Sequence, residues 1–481
     1  MSTVATYPDR PARIYFFFSV LEDLFARVAV ELQEQGALGA IAGCIWGSRS
    51  KDILRNCGIG LEDGLVLSEV YSHLPKSPDY EYIRSWENTS DPVTGPLIVT
   101  ADRIVCSKPY DVGMAHLEAA FRAVEAAFDR FRPDALIMDD VSCIASYAHF
   151  LVARRRNLPT LMFGPSRLQG RAVTYSNQFA IFDETNAEYE RIQVQGLGEE
   201  EQTAVRKYIA DFCSNNLPPP YMGYMGRKPG LRWADLRVLA TLGYWNSRDK
   251  MDYTLVSPTR AIGNRLTRIV RAQLYRPLWE QPVKDERYVL FPLHYQPEAS
   301  TSVRAPFVLD QCALVENIAR ALPAGYRLYV KEHTARLGNK PLRDLHRLRA
   351  IPAVRLIHPT ANIRELIKRA ACIATITSTT GWEALLNGVP VVVFGRVFYE
   401  KCSNVHVAGS PYEYPKVFRR ALSSRPQPRA TEDFVAALLR TSFLGAHGHP
   451  YYLPEVLDPK NIKSIAGHFA KKLSIRTSAA L

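Results

Sequence analysis

Three short segments in the second half of the sequence carry side chains suited to holding an anion. Phe291 to Ser302 (FPLHYQPEASTS) sets His294, Gln296 and Glu298 ahead of Ser300, Thr301 and Ser302. Lys331-Glu332-His333 offers a cation and an imidazole side by side. Thr375 to Glu383 (TITSTTGWE) places Ser378, Thr379, Thr380 and Gly381 in a row. Each follows an apolar run that reads as a strand, and in an open parallel sheet ligands gather at the strands' C-terminal ends. There hydroxyls, backbone N–H groups and the positive end of a helix macrodipole suit a phosphate, and lysine and histidine add charge and donors. Plainer roles compete: Pro297 and its hydroxyl neighbours as loop caps, Gly381 as a tight turn, and Thr380 with Glu383 as a capping box.

Carboxylates suited to handling a proton lie in the first half. Asp139 and Asp140 end the run 134–138 and suit a general base, a nucleophile or a helix cap. Glu62-Asp63-Gly64 precedes the run Leu65 to Leu67, and Asp-Gly is also a common turn dipeptide. Arg167, beyond the next strand, is a candidate for binding an acidic group, with a solvent-facing arginine as the plainer reading.

Positioning these groups requires alternating strands and helices. Arg13 to Phe18 (RIYFFF) reads as a buried strand, Leu21 to Gln35 as an amphipathic helix and Gly36 to Cys44 as a strand. A helix over 114–131, a strand over 134–138, a helix over 142–156 and a strand over 160–163 form a strand–helix–strand unit, which implies parallel pairing. The pattern resumes with strands at Tyr288–Pro292, Tyr326–Lys331, Val354–Ile357, Ala371–Ile376 and Pro390–Phe394, separated by helical stretches. Residues 431–473 read as helical. Expected is an α/β protein with two Rossmann-like domains facing across a cleft and C-terminal helices. Its domains would be 1–226, a basic helical connector over 227–286, a second domain over 287–425 and a helical segment over 426–481.

Of the 481 residues 47% are hydrophobic and 22% charged, as in ordinary soluble proteins, which excludes a disordered or fibrous chain. No apolar run reaches the roughly 18 residues of a membrane span, and Glu22 and Asp23 break the most apolar N-terminal stretch. A cytoplasmic protein is expected. Eight scattered cysteines, none in C-x-x-C, indicate neither a zinc ribbon nor a disulfide scaffold. The net charge is +12, and residues 227–286, with twelve Lys/Arg against six Asp/Glu, supply half of it. That favours an anionic partner: a solvated face is the simplest reading of the connector, and peripheral contact with the inner face of a membrane the functional one. No nucleic-acid-binding module accompanies the charge.

The series FPLHYQPEAST, YVKEH, RLIHPTANIRELI and TITSTTGWEALLNGVPVVVFG, over residues 286–400, resembles the capsule polysaccharide biosynthesis family, GT-B-type transferases related to bacterial Kdo and sialic acid transferases. The resemblance implies a glycosyltransferase whose donor is a nucleotide-sugar and whose acceptor is a capsular or surface polysaccharide or its lipid-linked primer. It puts His333 in the role of a nucleotide-binding histidine, Ser378, Thr379 and Thr380 on the phosphate and Glu383 on the ribose. It also matches Asp63 to the acidic-Asp-Gly base. Where the wider group has proline after the histidine, this chain has Thr334, so a UDP-linked donor stands beside a CMP-linked one. No D-x-D lies near a strand end of the second domain, and neither metal nor cofactor is expected. The alternatives are a nucleotide-sugar epimerase of the same shape and a non-catalytic scaffold of a membrane-associated assembly complex.

Overall fold

The computed structural model describes residues 11–19, 21–61, 63–87, 93–214, 233–248, 256–333 and 337–473. The proline- and glycine-rich stretch over 215–230, part of the basic connector, Glu62 and Thr334 lie outside them. The chain forms two compact units: Met1–Asp183 with Leu236–Pro258 and Thr441–Leu481, and Glu184–Asp235 with Thr259–Arg440. The chain crosses between the units four times, after Asp183, Asp235, Pro258 and Arg440. The helical stretch expected after 425 is shared between the units: helix Pro428–Thr441 falls almost wholly in the second, helix Pro459–Lys472 in the first.

The first unit is built on β1 (Ala12–Phe17), β2 (Leu38–Ile45), β3 (Leu65–Val66), β4 (Ala135–Met138), β5 (Thr160–Pro165) and β6 (Arg171–Tyr175). The short strand Phe443–Leu444 completes a sheet whose order is that strand, β6, β5, β4, β1, β2, β3. From β5 to β3 the pairing is parallel; β6 and the 443–444 strand pair antiparallel. Parallel strands are buried on both faces, which is why β4, and β1 from Ile14 onward, are continuous apolar runs. Residues 431–473 are therefore not helical throughout, since a strand interrupts them. Ile462, Ile465, Ala466 and Phe469, at i, i+3, i+4 and i+7, put one helix face into a core with Leu24, Phe25, Val28 and Phe163.

The second unit is a parallel sheet of β7 (Tyr288–Pro292), β8 (Arg327–Lys331), β9 (Val354–Ile357), β10 (Cys372–Thr375), β11 (Val391–Val393) and β12 (Val405–Val407). Its order is β12, β11, β10, β7, β8, β9. The chain lays β8 and β9 to one side of β7, then returns to lay β10, β11 and β12 on the other. The strand order thus reverses between β7 and β10, where a doubly wound sheet opens its crevice. The eight cysteines are free thiols. Among the described residues no helix is long and apolar enough to cross a membrane.

Candidate functional site

At the reversal between β7 and β10 two of the expected segments meet. His294, two residues past β7, is buried, and its Nε2 accepts the backbone N–H of Thr377 at 3.0 Å, with the Thr375 hydroxyl 3.3 Å away. The imidazole proton is thereby assigned to Nδ1, which is buried and has no hydrogen-bond partner among the described residues. Burial, then the charges of His333 and Lys340, hold the ring far below its usual range, at about 3. It is a neutral donor. Gln311 brackets the residue, accepting the His294 N–H at 2.7 Å and donating to its carbonyl at 3.2 Å.

Past β10 the chain turns into helix Thr379–Leu386. Its cap is Ser378, whose hydroxyl accepts the Thr380 N–H at 3.1 Å and donates to the Thr380 hydroxyl at 3.0 Å. The Thr380 hydroxyl proton has no acceptor among the described residues, and Thr379 opens the same turn. The expected capping box from Thr380 to Glu383 is not formed, because the helix begins two residues earlier than such a box needs. Gly381 is helical, not a turn: a Cβ there would overlap the Tyr399 hydroxyl, which donates to the Ser378 carbonyl at 2.7 Å. Glu383, freed from capping, is half-buried, and burial raises its carboxyl to about 7 against the opposing pull of Arg364.

The remaining expected donor-side residues divide. Gln296 Nε2 donates to the Leu309 carbonyl at 3.1 Å, and its Oε1 accepts from Gln311, which shapes the loop. Glu298 is exposed and accepts from the Ser300 hydroxyl at 3.0 Å. Lys331 is buried, and its Nζ donates to the Pro359 carbonyl at 2.7 Å, tying the loops after β8 and β9. Burial lowers its ammonium to about 8, with Glu332 opposing. His333 lies past β8, its ring 6.2 Å from that of Tyr295.

In the first unit Asp139 and Asp140 follow β4. Asp139 is buried, its Oδ1 has no partner among the described residues, and burial followed by the charge of Asp140 raises its carboxyl to about 8. Asp140 accepts the Tyr175 hydroxyl at 2.8 Å. No hydrogen bond from the next helix ends on Asp139: the Ile144 N–H goes to Asp102 at 3.3 Å, and the Ser142 and Cys143 N–H groups go to Ser146 at 2.8 and 2.9 Å. Arg167, past β5, has a left-handed backbone with φ of 69°, an uncommon setting for a residue other than glycine.

A further residue joins this cluster from 280 positions away, unforeseen in the sequence. Strand Phe443–Leu444 pairs antiparallel with β6, itself antiparallel to β5. It therefore runs parallel to β5 and delivers Gly445-Ala446-His447 to the same sheet edge as Asp139, Asp140 and Arg167. The Gly445 N–H bonds to the Gly170 carbonyl at 3.0 Å, and Asn461 accepts the Ala446 N–H at 2.7 Å. Burial and then the Arg167 charge lower His447 to about 4, with Asp140 opposing. Gly445, Gly448 and Pro450 argue against a helix in this stretch, but nothing local shows where its histidine lands. Asp63 is not part of the group. It precedes β3, in a turn closed by the Gly64 N–H on the Leu61 carbonyl at 3.2 Å, and pairs with Arg130 at 3.4 Å.

Among solved structures the chain is similar to two transferases of Thermosulfurimonas dismutans KpsC. The beta Kdo 2,7 transferase matches at 12% identity over 73% of this chain and 88% of that one, with a TM-score of 0.37. The beta Kdo 2,4 transferase matches at 16% over 70% and 87%, also with a TM-score of 0.37. The UDP-GlcNAc 2-epimerase of Neisseria meningitidis, bound to UDP-GlcNAc, matches at 11% over 96% and 99%, with a TM-score of 0.31. No curated protein matches the sequence. The model of the family described as capsule polysaccharide biosynthesis protein matches residues 162–403, from β5 to just short of β12 and so well upstream of the 286–400 segments. That match spans half of the sequence, and the chain belongs to the capsule polysaccharide biosynthesis protein family.

Proposed function

We propose that this protein is a glycosyltransferase of GT-B type that moves a sugar from a nucleotide-sugar to a growing capsular or surface polysaccharide or its lipid-linked primer. The observation that carries the reading is the meeting of His294 with the Thr375–Thr380 turn at the reversal of the second sheet. A neutral imidazole with an uncommitted N–H, a hydroxyl-capped helix start and a half-buried carboxylate suit a nucleotide phosphate and a ribose. In this reading the Thr380 hydroxyl and the first N–H groups of the helix meet the leaving phosphate, Nδ1 of His294 donates to the nucleotide, and Glu383 accepts from ribose hydroxyls.

The proton-accepting half falls to the first unit. The acceptor hydroxyl oxygen bonds to the anomeric carbon, the anomeric C–O bond to phosphate breaks, and its electron pair leaves with the nucleotide. The hydroxyl proton passes to ionised Asp139, whose raised pKa matches the needs of a general base near neutral pH. Asp140 neighbours that carboxylate, and an acidic sugar acceptor suits Arg167, whose charge reaches His447 at the same sheet edge.

Melting the purified protein with CMP, UDP, GDP and ADP tests the donor reading. A ligand at a hundred times its Kd stabilises the fold by about 2.7 kcal/mol. A shift with CMP or UDP that Thr380→Ala removes identifies the donor class, and no shift with any nucleotide sinks the reading. Product analysis then separates transfer, which needs an acceptor, from epimerisation, which does not. Chelator is expected to leave transfer unchanged, since amides and hydroxyls meet the phosphate.

A further inference from the structure

Helix Pro258–Leu274 faces the wrong way for a helix of a soluble domain. Ile262, Leu266, Val270 and Leu274, each four residues apart and so on one stripe, are 43%, 48%, 58% and 54% exposed. The side turned toward the second unit is instead the arginine side. Arg268 Nε donates to the Leu337 carbonyl at 3.5 Å, Arg271 to the Asn339 carbonyl at 3.2 Å, and the Tyr275 hydroxyl to the Lys340 carbonyl. Gly338 sits so close that a Cβ there would overlap the Arg268 backbone. These contacts hold the helix with its aliphatic stripe outward.

Solvent gives no reason for that orientation, because exposing four aliphatic side chains in line works against the hydrophobic effect. The charge around the stripe narrows the choice of what covers it. Residues 253–279 hold five arginines and no acidic residue. Arg260 and Arg276, near the two ends of the helix, are exposed. An apolar stripe between cations is the pattern of a helix that lies in the interface of an anionic bilayer, its aliphatic face in the acyl region and its cations among the head groups.

We propose that helix Pro258–Leu274 docks the protein on an anionic lipid surface through Ile262, Leu266, Val270 and Leu274. This goes beyond the transferase reading and does not depend on it. A lipid-linked acceptor would lie in the same surface.

The test is co-sedimentation of the full chain with vesicles of phosphatidylcholine alone or mixed with phosphatidylglycerol, for the wild type and for Leu266→Gln/Val270→Gln. Both positions are exposed, so the variant should keep the wild-type melting curve and any nucleotide-induced shift in it. The proposal expects binding to the mixed vesicles only, falling about tenfold or more in the variant. Binding that the variant retains overturns it. So does equal binding to both vesicle types, which removes the role of charge. A concentration-dependent dimer that the variant abolishes, without vesicle binding, overturns it too and assigns the stripe to a second copy. None of these outcomes bears on nucleotide binding.

Discussion

Nε2 of His294 accepts the backbone N–H of Thr377 at 3.0 Å, across 83 residues of sequence, and so joins the loop after β7 to the loop after β10. One bond fixes the tautomer, the position of the Thr375–Thr380 turn and the donor left over at Nδ1. His294→Ala leaves the Thr377 N–H without its acceptor, a loss of about 1–3 kcal/mol for a buried donor, to be read as a lower urea midpoint. The same variant should lose nucleotide binding. Because the folded ring titrates at about 3 and an unfolded one near 6.5, the unfolded chain binds the extra proton between those values. The histidine therefore costs stability as pH falls through that window, and His294→Ala should blunt the loss.

Gly381 and Tyr399 form a second pair with a measurable coupling. Gly381→Ala drives a methyl into the Tyr399 hydroxyl and displaces its bond to the Ser378 carbonyl. The expected cost is about 1–3 kcal/mol, as for other overpacked cores. Tyr399→Phe removes the obstructing oxygen, so the double variant should be more stable than the sum of the singles predicts. Additive losses in thermal denaturation would refute the packing account.

How much of this the sequence discloses depends on how local each interaction is. Continuous apolar runs such as YVLFP and VRLI announce buried parallel strands, and in the structure they keep their expected bounds at Tyr288–Pro292 and Val354–Ile357. Hydroxyls past such a run mark a strand end, and Ser378 does cap the next helix. Helix register is less legible: TSTTGWE supports a cap at 378 or 380, and the helix starts at the first because Tyr399 holds the Ser378 carbonyl. Contacts set by sheet pairing were out of reach. His447 joins Arg167 and Asp140 through a two-residue strand too short to leave a pattern. Lys331 read as a phosphate ligand, whereas the fold turns its ammonium to the Pro359 carbonyl.

Glu383 offers a test on the donor side that uses pH alone. Its carboxyl titrates at about 7 instead of the usual 4.5, chiefly through burial. If ionised Glu383 accepts from ribose hydroxyls, nucleotide affinity should rise as pH passes upward through about 7. Glu383→Gln should flatten that profile and weaken binding about tenfold, in line with losing one charge-assisted hydrogen bond. Titration calorimetry at several pH values reads both effects, and an unchanged profile in the variant would place the glutamate outside the site.

Asp139 links stability and chemistry in opposite directions. Its folded carboxyl titrates at about 8, raised from 3.8 by burial, so the folded chain holds a proton that the unfolded chain has released. Stability from this group is whole below about 3.8 and erodes as pH rises toward about 8. Asp139→Asn removes the titration while keeping the shape. The variant should therefore melt higher than the wild type at pH 8, with the difference shrinking toward pH 4. Transfer needs the ionised base, so the wild-type rate should climb with pH through about 8, and Asp139→Asn should fall by at least the factor of about 10²–10⁴ that a positioned base supplies. Melting curves and initial rates across the same pH series check the two halves separately. A stabilised variant that retains the wild-type rate and profile would leave Asp139 buried but idle, and would move the search for the base to Asp140.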